Sequence, residues 1–246
     1  MIPVQADDTN PGQFEGIVTG IRQLCRTRPP ETELVNGVRV PTLAEMARIN
    51  AWHLATRHTV GDYLDTVVLL ERLGTEAALQ AFGEFDEIYA QESTSALAEV
   101  VERLAAASPS NRAEVKLRDF NDLGASWNNW GQLSGRGRCW AAVLAAQLLS
   151  GGAPATTSME RLVTSWNRSR LDLDSDEVLA QILDRGDLEA WRELYRIAAA
   201  DPLLRTRILG VVRRVPLPFP SFWLAALASL GERIDWQMSL PQDCGV

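Results

Sequence analysis

The sequence predicts a mainly helical fold: a helical bundle with a small antiparallel sheet near its N-terminus, followed by an all-helical C-terminal domain. Three observations predict it. Apolar residues recur at three- and four-residue spacing through most of the chain, as in Leu97, Val100, Val101 and Leu104. Cap signals precede these runs, and Gly or Pro follows them. Alternating strand-like residues are confined to about 14–41, where Asn36-Gly37 is a two-residue hairpin signal.

The elements follow in order. Residues 1–13 are polar and acidic and read as a flexible N-terminus. Phe14–Cys25 and Glu33–Val40 give two or three short strands that must pack on helices or on missing strands. Thr42 and Glu45 form a T-x-x-E capping box for a helix running to about Arg57. A second helix spans about Gly61–Arg72, with Thr59 or Gly61 near its cap and Gly74 at its end. Thr75–Tyr89, Ser93–Ala107 and Gln132–Leu149 are further helices, and 108–131 is irregular. Gly151-Gly152-Ala153-Pro154 breaks the pattern, so 150–158 reads as a linker between a region 14–149 and a C-terminal domain 159–246. There, D-x-x-E at Asp174 and Glu177, Asp187, and Asp201-Pro202 open successive helices. The prolines of 215–220 force extended backbone, and Ser221–Leu230 closes the set.

Composition narrows the chemistry. A net charge of −8 argues against a surface dedicated to phosphates. The arginine clusters Arg22, Arg26, Arg28 and Arg205, Arg207, Arg213, Arg214 read as solvated helix faces or helix-end charges. Lys116 is the only lysine, which leaves almost no choice for a catalytic one and reads as a coding bias. Cys25, Cys139 and Cys244 are far apart, so Cys25 and Cys139 read as buried thiols and Cys244 as part of a loose tail. His53 and His58, five apart, fall on different helix faces and make no metal pair. The tryptophans read as core. Gly135-Arg136-Gly137-Arg138 reads as a plain turn before a helix, although such a turn could hold an anion. With no signal peptide and no apolar stretch long enough to span a bilayer, the expected location is the cytoplasm, away from membranes.

Residues 38–73 resemble the last conserved segment of the AbiEii/AbiGii family, the nucleotidyltransferase toxins of type IV toxin–antitoxin systems. Thr42, Glu45, Arg57, Asp62 and Asp65 match its pattern; Asn50 and Gly61 stand where a lysine and an arginine are expected. Residues 117–149, with Trp127-x-x-Trp130, are similar to the trailing helices of actinobacterial members. The resemblance implies the C-terminal part of a nucleotidyltransferase-like fold, with Asp62 and Asp65 as surviving catalytic acids and Arg57 as a substrate-binding residue. No Gly-Ser turn and no D-x-D/E metal pair precedes Phe14, where the family carries them, as if the chain began inside the fold.

Three readings follow. The first is a non-catalytic or truncated relative of the toxins, an interaction module or remnant that needs no cofactor or metal and leans away from being an enzyme. Its partner would be an antitoxin, the missing catalytic part or a second copy of the chain. The second is a toxin component that adds nucleotides to tRNA, using magnesium and a nucleoside triphosphate, with a partner supplying the metal carboxylates. The third is an unrelated helical protein-binding module centred on 159–236.

Overall fold

The computed structural model describes residues 10–14, 17–21, 26–91, 94–120, 127–151 and 172–241. Its strands form two separate antiparallel hairpins. β1 (Asn10–Phe14) pairs with β2 (Ile17–Ile21), and β3 (Thr32–Val35) pairs with β4 (Val38–Pro41). β2, β3 and β4 fall within 14–41, where two or three strands were expected. One correction follows: β1 starts at Asn10, inside the stretch expected to be flexible, because Asn10, Pro11, Gly12 and Gln13 are register partners of β2 despite their turn-like composition. The β3–β4 turn is where Asn36-Gly37 predicted it, and both residues take the positive φ (50° and 80°) that a two-residue hairpin requires.

The described helices are α1 (Leu43–Arg57), α2 (Val60–Phe82), α3 (Phe85–Ile88), α4 (Ala96–Ala106), α5 (Trp130–Ser150), α6 (Asp176–Arg185), α7 (Leu188–Ala200), α8 (Pro202–Arg214) and α9 (Pro220–Ser229). α1 packs along α2, and α4 packs along α5. α9 is apolar on nearly every side, buried from Ser221 to Leu227, and lies against α4 and α5. The helices on both sides of 152–171 therefore share one hydrophobic core. Most of the expected linker, from residue 152 on, lies outside the described residues, as do Arg22, Cys25, Trp166 and Cys244. No described helix is long and apolar enough to cross a membrane.

Local chemistry explains the boundaries. Gly74, at φ 73° and ψ 169°, breaks α2 where the sequence placed a stop, and helix resumes directly, as expected from Thr75, but ends at Phe82 rather than Tyr89. Asp201 accepts from Leu203 N and Leu204 N ahead of Pro202, as the Asp-Pro signal predicts. The Gly/Arg turn is corrected: Asn129 caps α5 by accepting from Gln132 N at 3.1 Å, so residues 135–138 are helical. Gly137 lets Tyr63 approach; a Cβ there would stand 2.0 Å from Tyr63 Oη, which donates to Leu104 O. Arg136 and Arg138 lie over the rings of Trp127 and Trp236. Trp140, Trp191 and Trp223 are buried as expected. Cys139 is exposed, contrary to expectation, because the buried face of α5 runs through Gly137, Trp140, Ala141 and Leu144 and places residue 139 opposite.

Two further expectations fail for one reason. Glu45 does not close a capping box. Thr42 Oγ1 accepts from Glu45 N, but Thr42 N donates to Glu31 O, and the Glu45 carboxylate turns inward. There it binds Arg26 through one oxygen and Arg48 through the other, the latter at 2.7 and 3.1 Å. Arg26 is accordingly buried rather than on a solvated face. Arg48 also reaches Glu31 and Ala81 O. Burial pushes the Glu45 carboxyl up, but the two guanidiniums outweigh it and hold it below its usual value. This network and the Thr27 N–Ile88 O bond tie 26–31 to α1 and α3. Glu45→Ala would strand the buried Arg26 guanidinium and leave Arg48 with Glu31 as its one carboxylate, and is expected to cost roughly 3–5 kcal/mol by urea denaturation. A loss under about 1 kcal/mol would show that solvent reaches them.

Candidate functional site

The three residues singled out by resemblance meet at the α1–α2 turn. His58 ends α1 in the left-handed conformation, and its N–H bonds back to Leu54 O. Thr59 then caps α2 in a complete capping box. Thr59 Oγ1 accepts from Asp62 N, while Asp62 Oδ2 accepts from Thr59 N at 3.3 Å and from Thr59 Oγ1 at 2.6 Å. The other oxygen, Asp62 Oδ1, is bound by Arg57 Nη2. Asp62 is buried, whereas Arg57 and Asp65 are exposed. Both oxygens of Asp62 are therefore committed to holding the turn, and Arg57 is committed to Asp62. Asp65 points outward one turn on. Its carboxyl is raised by desolvation and by Asp62, with Arg57 opposing.

Around the turn lies a polar layer that the sequence did not mark. Asn111 Oδ1 accepts from Val60 N at 2.8 Å, and Ser110 N donates to His58 O at 2.9 Å, so the loop after α4 is stitched to the α1–α2 turn. His58 is held down to about 4, first by burial and then by Arg103, with Asp62 opposing. Its Nε2 is buried without a hydrogen-bond partner. Only contacts between residues about fifty apart in sequence create this layer, so no local spacing announces it.

A second buried acid is Glu102 on α4. Its Oε2 accepts from Phe222 N at 2.6 Å. Pro220 opens α9 without an N–H, so this bond satisfies an amide of the first turn that would otherwise be orphaned in the core. Burial pushes the Glu102 carboxyl up to about 7; the bonds from Phe222 and Ser221 and the charge of Arg103 pull it down, and Glu99 pushes it up.

The α3–α4 and α6–α7 turns also flank a cleft of about 600 Å³, floored by Trp191 and Phe219. Two of its three lining carboxylates serve the walls, and the third, Asp184, pairs with Arg185. Asp86 accepts from Ser95 Oγ and Leu97 N, and Asp187 accepts from Ala190 N. The described residues contain no group of three or more His, Cys, Asp and Glu placed to hold a metal ion.

Glu102 and His58 act on stability with opposite signs. The folded state binds the Glu102 proton more tightly than the unfolded chain does, so Glu102 makes stability fall as pH rises from about 4.5 to about 7. The folded state releases the His58 proton, so His58 makes stability rise as pH rises from about 4 to about 6.5. Glu102→Gln keeps an oxygen for Phe222 N–H and removes the titration. Between about pH 5 and 7.5 its stability relative to wild type is expected to improve by on the order of 2 kcal/mol, read by urea denaturation at each pH. A gap independent of pH would refute the assignment.

Comparisons with protein-family models, curated proteins and solved structures find no match for this chain.

Proposed function

We propose that the chain is a non-catalytic interaction module on a scaffold resembling the C-terminal part of the type IV toxin nucleotidyltransferases. One observation carries this reading. Asp62, the residue the resemblance would make catalytic, has both oxygens engaged by Thr59 and Arg57 in a helix cap. A carboxylate that orders magnesium or takes a proton from an attacking hydroxyl needs an oxygen directed at substrate. The same scaffold residues persist here with a structural job. Thr42 caps α1, Glu45 anchors Arg26 and Arg48, and Arg57 and Asp62 close the turn. An antitoxin or a separate catalytic chain is the partner class this reading carries over from the resemblance.

The test mixes the purified chain with total tRNA, magnesium and each labelled ribonucleoside triphosphate. No transfer of label above a protein-free control is expected with any nucleotide. Label in the RNA that disappears in Asp65→Asn, a surface change that leaves the α2 cap intact, would overturn the reading in favour of nucleotide transfer to tRNA.

A further inference from the structure

The β3–β4 hairpin is built unlike the rest of the molecule. Five large hydrophobic residues are exposed among the described residues, and three of them, Leu34 (68%), Val35 (47%) and Val38 (62%), sit on these eight residues. The other two, Met46 and Leu203, stand singly on α1 and α8. The hairpin is rooted by Thr42 N–Glu31 O and by the Glu31–Arg48 ion pair, and it bonds to no third strand among the described residues.

Its two edges differ, and the register shows how. The turn joins Val35 to Val38 through two residues, so Val35 and Val38 exchange ladder hydrogen bonds, as do Glu33 and Val40 two residues along. The N–H and C=O groups of Thr32 and Leu34 on β3, and of Arg39 on β4, then face outward. Pro41 also faces outward and has no N–H, which blunts the β4 edge. β3 itself, Thr32–Val35, holds no proline, the nearest being Pro30 two residues before it. An antiparallel strand laid on it would bond at Thr32 and Leu34 and meet Glu33 at a non-hydrogen-bonded position, where side chains approach most closely. Glu33 is exposed, and its pleat face continues into Val35 and Val38. The other face is occupied differently, since Arg39 Nη1 donates to Thr32 Oγ1 at 3.0 Å.

We propose that the outer edge of β3 docks an extended segment of a partner protein that carries an apolar-x-basic pattern, with the basic residue opposite Glu33 and the apolar one beside Val35. Backbone bonds at Thr32 and Leu34 supply the pairing, and Glu33 supplies the charge preference. The proposal rests on the interaction reading above and names the surface and chemistry through which it would act. Strand addition also relieves a two-stranded hairpin that is marginal by itself.

The test is an NMR titration of the full chain with the peptide acetyl-Ser-Thr-Val-Thr-Arg-Thr-Ser-amide and with its counterpart carrying Glu in place of Arg. Saturable shifts of the Thr32 and Leu34 amides are expected, with the Arg peptide preferred by about threefold to tenfold. In Glu33→Lys the preference should reverse. Leu34→Pro removes an outward N–H without touching the hairpin's own ladder and should abolish the shifts at Thr32, with Val35–Val38 resonances reporting that the hairpin persists. The absence of shifts at millimolar peptide, or a preference unchanged in Glu33→Lys, would overturn the proposal. Transfer of nucleotide label would bear on the non-catalytic reading alone, whereas a silent edge in a chain without transfer activity would bear on the docking edge alone.

Discussion

The turn between α1 and α2 depends on one buried carboxylate. Asp62 satisfies Thr59 N–H and Thr59 Oγ1–H with one oxygen and Arg57 with the other. A buried acid is tolerated only when its lone pairs are filled, and here the partners are supplied from five and three residues earlier in the same chain. That local closure sets the angle at which α2 leaves α1, and the α1–α2 pair is one wall of the core. His58, Ser110 and Asn111 are drawn into the same polar layer, which fastens the loop after α4 to the turn. Of the residues that suggest a site, Arg57 and Asp62 are thus the ones that make the corner.

The same logic recurs at two more buried acids, with different partners. Glu45 is neutralised by Arg26 and Arg48, which fix the segment leading into the hairpin. Glu102 has no guanidinium in bonding contact and instead caps α9 from a neighbouring helix, and burial accordingly drives its proton affinity up. Ion pairing and capping leave opposite electrostatic signatures on two glutamates that are equally hard to recognise in a sequence. Polar contacts fasten α8 as well, where Arg205, Arg207 and Arg214 pair with Glu232, Asp174 and Asp176.

What was legible in the sequence was local. Asn36-Gly37, Thr59, Asp187 and Asp201-Pro202 act through bonds within four residues, and the chain uses them as a short-range reading expects. Gly74 was legible as a break with helix on both sides, but the end of the second stretch at Phe82, short of Tyr89, was not. Glu45 was misread because the competitor for its carboxylate, Arg26, is nineteen residues away. Gly137 was misread because glycine is required there by Tyr63, a residue on another helix, and not by a turn. Asp62 and Asp65 were correctly placed on the second helix, yet their i, i+3 spacing, which puts both carboxylates towards one face, could not tell that one is buried in the cap and the other left exposed.

The central claim is that Asp62 is a structural residue, and stability measurements address it most directly. Urea denaturation of Asp62→Asn and Asp65→Asn, at neutral pH and side by side with wild type, separates the two acids. The account predicts a loss of roughly 1–3 kcal/mol for Asp62→Asn, which weakens a buried charge-assisted bond to Arg57 and half of the capping box. It predicts a change within about 0.5 kcal/mol for Asp65→Asn, an exposed acid one turn beyond the cap. An Asp62→Asn variant as stable as wild type would contradict the account and return that carboxylate to the list of candidates for chemistry.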